Sequence, residues 1–131
     1  MHENNHVDPR ISKFVLPIGA TVNMDGTSLY LAVATVFLAQ LHFVELSLAQ
    51  QLTIVLTATM GSIGTAAVPG ASLVMLIIIL QTVGLNPAWV AIIFPVDRIL
   101  DMTRTVANIT GDATVATLVA STEGELEVKD N

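Results

Sequence analysis

Along this chain, polar residues interrupt the apolar pattern at the points where an unbroken helix would become too long. The first apolar stretch covers 14–44, roughly 31 residues and ~46 Å as one straight helix, against ~30 Å for a bilayer's hydrocarbon core. Inside it stands "NMDG", residues 23–26. Asn and Asp side chains compete for nearby backbone, and a glycine weakens a helix by ~1 kcal/mol, so the pattern predicts a broken transmembrane helix over 14–44. Two further apolar stretches, 51–60 and 71–83, flank "GSIGTAAVPG" (61–70), where Ser62, Thr65, Pro69 and three glycines cluster. Each flank is about half a bilayer long, which predicts a re-entrant helical hairpin over 50–83 with its tip at this loop. "GLNPAW" (84–89) reads as a turn with Trp89 at an interface, followed by a last transmembrane helix over 87–120. Residues 1–13 form a polar lead and 121–131 a cytoplasmic tail.

Composition agrees with a membrane setting. Of 131 residues, 53% are hydrophobic and 12% charged, where ordinary globular domains carry roughly 25% charged residues. No Asp, Glu, Lys or Arg occurs between Glu45 and Asp97. The net charge of −6 comes largely from the ends, including Glu3, Asp8, Glu123, Glu125, Glu127 and Asp130, so no basic patch is available for nucleic acid. The absence of cysteine excludes disulfides and thiolate metal sites. The opening "MHENNHVDPR" lacks the apolar core of a signal peptide. Backbone freed at helix breaks cannot face lipid, and paired broken helices point to a substrate and ion site near the bilayer midplane.

The last predicted helix carries Asp97, Asp101, Arg104, Thr105, Asn108 and Asp112. At ~100° per residue all but Thr105 fall in a sector of about 90°. Ionisable groups at membrane depth cost ~2.5 to 3.5 kcal/mol each, so such a stripe is expected to face a cavity and its own members. Arg104 could simply pair with Asp101, one turn back, as a structural lock. The stripe nevertheless holds more carboxylates than one arginine neutralises, and the surplus calls for a cation. Arg104 offers a planar fork for a carboxylate, and Asp101 can accept from an ammonium, which suits a zwitterion with an extra carboxylate. Alkali cations prefer oxygen ligands, which Asn23, Asp25, Asn108, Asp112 and carbonyls at the breaks supply.

Three motifs, "FVLPIGATVNMDGT" (14–27), "GSIGTAAVPGA" (61–71) and "DMTRTVANITGDATVA" (101–116), resemble the glutamate transporter family, the dicarboxylate/amino acid:cation symporters that include the excitatory amino acid transporters. The resemblance covers the family's C-terminal portion: its seventh transmembrane helix, second hairpin and eighth transmembrane helix. It implies an all-α membrane fold and sodium-coupled symport of aspartate or glutamate by an elevator-type movement, with residues 61–70 as the tip of an extracellular gate. It also implies that Arg104 binds the substrate side-chain carboxylate and Asp101 the amino group, with Thr27, Val68, Thr105 and Asn108 completing the pocket. Sodium ligands are implied at Gly19, Asn23, Asn108 and Asp112 for one site, and at the carbonyls of Thr21, Ser62, Ile63 and Thr65 for a second. Asn23 and Asp25 make a third, with Met24 as a coupling element between sites. The family implies a homotrimer in the cell membrane, spanning it several times, with sodium as cargo and no resident cofactor.

Departures from the family pattern narrow the expectation. Animal members carry a glutamate after "NMDGT", implicated in proton and potassium coupling, where this chain has Leu31; potassium counter-transport is therefore not expected, and a prokaryote-like sodium symporter fits better. Proton coupling is the alternative. Having both Arg104 and Asp101 disfavours neutral amino acid and dicarboxylate relatives. The family's first six helices and first hairpin are missing from the match, so the alternative reading is a truncated, transport-incompetent fragment. Arg10, Lys13 and Lys129 are consistent with both ends lying on the cytoplasmic side.

Rival motifs carry little. "NMDGT" resembles a phosphatase loop, but Asn23 stands where the nucleophilic aspartate belongs. "HENNH" (2–6) matches a zinc-peptidase pattern yet sits in a polar terminus without a helix or a third ligand. Asn108-Ile109-Thr110 fits a glycosylation acceptor but lies within the stripe. No lysine follows the glycines at 61, 64 and 70 to make a phosphate loop. The reading is of a transporter segment and not an enzyme.

Overall fold

A computed structural model describes residues 7–65 and 70–124, and these residues are almost entirely helical. Helix α1 spans Pro9–Val22, α2 Asp25–Leu41, α3 Leu48–Ile63 and α4 Ala71–Thr82. A single 3-10 turn, Pro87–Trp89, leads into the short α5, Val90–Ile93, and then α6, Asp97–Thr122. The "HENNH" segment, Val68 and Lys129 lie outside the described residues.

Local chemistry sets most of the boundaries. Asp8 caps α1 by accepting the Arg10 N–H at 2.7 Å, and Pro9 takes the first helical position, where a missing N–H costs nothing. Asn23 ends α1 with φ −86° and ψ 78°, and its N–H bonds back to the Gly19 carbonyl. Helix α2 begins two residues later with no side-chain cap of its own. Helix α3 opens on a reciprocal cap in which Ser47 Oγ accepts the Gln50 N–H and Gln50 Oε1 accepts the Ser47 N–H. Helix α4 closes with Gly84 at φ +79° and a Leu85 N–H to Leu80 carbonyl bond of 2.8 Å, the six-residue closure that a left-handed glycine permits. Helix α2 closes the same way through a Val44 to Ala39 bond, but with Phe43 at φ +57° in the glycine position.

The stretch 87–120, read from sequence as one helix, is divided. Pro95 has no N–H to donate, and around it the bonds shorten to three-residue spacing, as in Val96 N–H to the Ile93 carbonyl. The long polar-faced helix therefore starts at Asp97.

Helix α2 is the hub, packing against α3, α4 and α6, while α1 packs chiefly along α6. Its two sides differ. Leu31, Leu38 and Ala39 pack with Ile54 and Ala58 of α3 and Leu76, Ile79 and Leu80 of α4 in one apolar core, closed by Val83, Leu85, Val90 and Ile93. At the same end His42 stacks on Trp89, ring centroids 3.7 Å apart, and Gln50 donates to the Val83 carbonyl. The opposite side of α2 and the α1–α2 junction face the polar stripe of α6.

Of the described residues, one stretch, Pro9–Leu41, is long and apolar enough to cross a membrane; Leu48–Ile63 and Ala71–Thr82 are apolar but shorter. At ~1.5 Å per residue α3 and α4 reach ~24 and ~18 Å, and α6 ~39 Å.

Candidate functional site

A cavity of about 570 Å³ lies where the α1–α2 junction, the first turn of α4 and the stripe of α6 meet. Asn23, Met24 and Thr27 line it from the junction, and Asp101, Arg104, Thr105, Asn108 and Asp112 from α6. Thr65 and Ser72 close it from the α3–α4 side.

Asn108 fastens α6 to the helix break. Its Oδ1 accepts the Gly26 N–H at 2.8 Å, serving the orphan donor that Met24 leaves uncapped. Its Nδ2 donates to Thr27 Oγ1 and to Met24 Sδ, both at 3.3 Å. The approach is close enough to require glycine at position 26, since a Cβ there would collide with the Arg104 carbonyl.

Arg104 is buried and engaged on several sides. Its Nη2 and Nε donate to Asp101 Oδ1 at 2.7 and 3.1 Å, its Nη1 to Asp97 Oδ1 at 3.3 Å, and its guanidinium lies 4.3 Å above the Tyr30 ring. Tyr30 in turn donates to Asp97 Oδ1 at 3.1 Å. The pairing of Arg104 with Asp101 one turn back is thus present, with Asp97 as a second partner. Exposed Arg98 reaches the other Asp101 oxygen only at 4.0 Å.

Asp112 differs from those two acids. It is 7% exposed and receives Asn23 Nδ2–H at 2.9 Å, yet no cationic side chain pairs with it among the described residues. Asn23 also reaches the Asn108 carbonyl at 3.4 Å. Gly19 lies directly against this carboxylate, where a Cβ would strike Asp112 Oδ1. A buried carboxylate without a counter-charge is costly, by several kcal/mol even after relaxation. Gly19 and Asn23 thus meet Asp112 directly, and Asn23 ties it to the Asn108 carbonyl, around a negative charge left unmatched among the described residues.

The other sequence-predicted positions are placed differently. Asp25 is exposed at the start of α2 and does not line the cavity. Thr21 is exposed, its hydroxyl bonded to the Ile18 carbonyl, and Ile63 is half exposed. Ser62 is buried with its hydroxyl on the Thr59 carbonyl, and of the four residues of that set only Thr65 lines the cavity. Among the described residues no group of three or more His, Cys, Asp or Glu could hold a metal ion, so a cation here would rely on amide and carbonyl oxygens around a single carboxylate. Sequence reasoning left out Tyr30 and Ser72; neither has a spacing that announces it, because Tyr30 meets α6, and Ser72 reaches the cavity, only through the tertiary fold.

The sequence pattern of the sodium:dicarboxylate symporter family matches residues 1–122. The chain is 57% identical over 111 residues to excitatory amino acid transporter 3 of Oryctolagus cuniculus, covering 85% of this chain and 21% of that protein. It is 52% identical over 118 residues to excitatory amino acid transporter 5 of Homo sapiens, covering 90% and 21%. To an excitatory amino acid transporter of Onchocerca volvulus it is 51% identical over 119 residues, covering 91% and 24%. The chain thus spans between a fifth and a quarter of the length of these relatives.

Proposed function

This chain belongs to the sodium:dicarboxylate symporter family, and we propose that it supplies the substrate and cation sites for sodium-coupled symport of an acidic amino acid, aspartate or glutamate. The observation that carries the proposal is Asp112, buried without a cationic partner among the described residues, against Gly19 and bonded by Asn23, which also reaches the Asn108 carbonyl. Sodium is the cargo that balances it. Substrate binding follows at the neighbouring Arg104. The distal carboxylate of the substrate takes the place of Asp101 on the guanidinium fork, and the released Asp101 carboxylate accepts from the substrate ammonium. Asp97 and Tyr30 hold the guanidinium in position throughout. Thr27, Thr105, Asn108 and the backbone near Val68 complete the pocket.

In the bilayer α1 and α2 form a broken transmembrane helix, α3 and α4 a re-entrant hairpin, and α6 the polar-faced transmembrane helix. Residues 61–70 form the tip of the extracellular gate, and closure over substrate and sodium permits an elevator-type movement of this unit. Further cation sites engage the carbonyls of Thr21, Ser62, Ile63 and Thr65, and Asn23 with Asp25, with Met24 coupling them. Leu31, fully buried in the apolar core, provides no ionisable group for potassium or proton exchange. The protein assembles as a homotrimer in the cell membrane. The deciding experiment is aspartate-dependent sodium binding to the purified product of the full reading frame that encodes this chain. Saturable binding of each that tightens with the other supports the proposal; sodium binding indifferent to aspartate overturns it.

A further inference from the structure

Four hydroxyl side chains line the cavity, and three are engaged. Thr27 Oγ1 accepts from Asn108, Thr65 Oγ1 donates to the Gly61 carbonyl at 2.7 Å, and Thr105 Oγ1 donates to the Asp101 carbonyl at 2.7 Å. Ser72 is the fourth. It is 3% exposed, and its Oγ is the one buried side-chain polar atom without a hydrogen-bond partner among the described residues. Such groups are rare in folded proteins and call for an explanation.

The position of Ser72 indicates what the hydroxyl is for. It sits in the first turn of α4, a helix of 12 residues whose N-cap, Gly70 at φ +84°, offers no side-chain cap. First-turn N–H groups have no intrahelical acceptor and carry the positive end of the helix dipole. The free hydroxyl, the α4 N-terminus and the Arg104 guanidinium thus border one cavity that Asp101 and Asp112 also line, and these three are its donors toward an anion that takes the place of Asp101 on Arg104.

We propose that Ser72 is a further substrate-contacting residue, whose Oγ–H donates to the substrate carboxylate held by Arg104. The inference rests on the acidic amino acid reading given above. It divides recognition of one carboxylate between α6 and the start of α4, so the helix that follows the gate tip touches the charged end of the substrate directly.

The test is sodium-driven uptake by proteoliposomes carrying the full reading frame. A hydrogen bond to a charged group, once lost, weakens binding on the order of 10-fold. Ser72→Ala is expected to raise the half-saturating aspartate concentration by about that factor, and Ser72→Thr, which keeps the donor, to stay within about threefold. In an Arg104→Cys background, uptake of alanine, which has no distal carboxylate, is expected to be unmoved by Ser72→Ala. Wild-type aspartate affinity in Ser72→Ala overturns the inference, as does an equal loss for aspartate and alanine, which marks a packing role. If the parent protein transports no aspartate, the acidic amino acid reading itself fails and Ser72 falls with it. A parent that transports normally beside an unaffected Ser72→Ala sinks the Ser72 inference alone.

Discussion

Replacing Gly26 by alanine should unlock the joint between the helix break and α6. The added Cβ would stand inside van der Waals contact of the Arg104 carbonyl oxygen, 2.9 Å from the Ala107 Cβ and 3.0 Å from the Arg104 Cα. Carbon atoms pack at ~3.5–4.0 Å, so α2 and α6 must part by up to an ångström, about the difference between these separations. Two of the three obstructing atoms are helix backbone and cannot rotate away. Overpacking of this kind costs ~1–3 kcal/mol, and stretching the 2.8 Å Gly26 to Asn108 bond exposes a buried donor to a further ~1–3 kcal/mol. The better helix propensity of alanine returns only ~1 kcal/mol. The net loss is therefore about 1–5 kcal/mol, and Gly26→Ala should melt at least several degrees below the parent in detergent or nanodiscs. Gly64→Ala is the internal control, because a Cβ there meets nothing within 4 Å among the described residues; its stability should change by less than ~0.5 kcal/mol. Melting can be followed through the fluorescence of Trp89, alongside aspartate uptake. A Gly26→Ala protein that melts with its parent and transports with the same half-saturation would refute the claimed close approach.

Three other substitutions probe separate parts of the architecture. Arg104→Cys should abolish uptake of acidic substrates while admitting neutral amino acids, checked by transport of labelled aspartate and alanine; undiminished aspartate uptake would remove Arg104 from the site. Asp112→Asn keeps the shape but deletes the unmatched charge, and should raise the half-saturating sodium concentration by roughly tenfold or more, consistent with ~1.5–3 kcal/mol for a charged contact; an unchanged sodium titration counts against a cation role. Phe43→Gly relieves a left-handed backbone at a side chain that is 96% exposed, and should stabilise the protein by ~1 kcal/mol. The readout is a higher melting temperature with transport unaffected, and a lower one would mean that the phenyl ring itself makes an essential contact.

Much of this architecture is legible in the sequence because long apolar runs leave few places for polar residues. The helix break falls between Val22 and Asp25, where Asn23, Asp25 and Gly26 spoil a long apolar run. The α6 stripe also survives as a spatial fact, with Asp97, Arg104 and Asp112 buried and Thr105 exposed at the cavity rim. Helical period places Thr105 at the edge of that stripe, about 20° beyond Asp112, and packing decides its exposure. What the sequence conceals depends on partners from other elements. Tyr30 lies under Arg104 only because α2 crosses α6 there, and Asp97 becomes a second acceptor for that arginine from seven residues away. Asp25 looks like a ligand by composition, yet one position of helical rotation separates it from Gly26, which faces α6, and turns its side chain outward. Ser72 sits in the uninterrupted-looking "ASLVM" run, where a single hydroxyl carries no signal until α4 is seen to start beside the cavity.

The charge distribution around the cavity also bears on why two solutes would move together. Asp97 and Asp101 both face Arg104, whereas Asp112 has no protein cation of its own among the described residues. An acidic amino acid carries two carboxylates and one ammonium, so on the proposed reading its arrival alone would add a negative charge to a cavity already short of positive ones. A cation at Asp112 lowers that electrostatic cost. By linkage the substrate must then tighten the cation's binding by the same factor. On the same proposed reading the mechanical side of the coupling would lie in Asn108, which holds the Gly26 N–H and Met24 Sδ with one amide and offers its carbonyl to Asn23 beside Asp112. A shift of Asn23 or Asp112 on cation binding would then be passed to the start of α2, where Thr27 lines the same cavity. Coupling on this account needs no relay between distant sites: one amide spans the break, and the two charges share a wall.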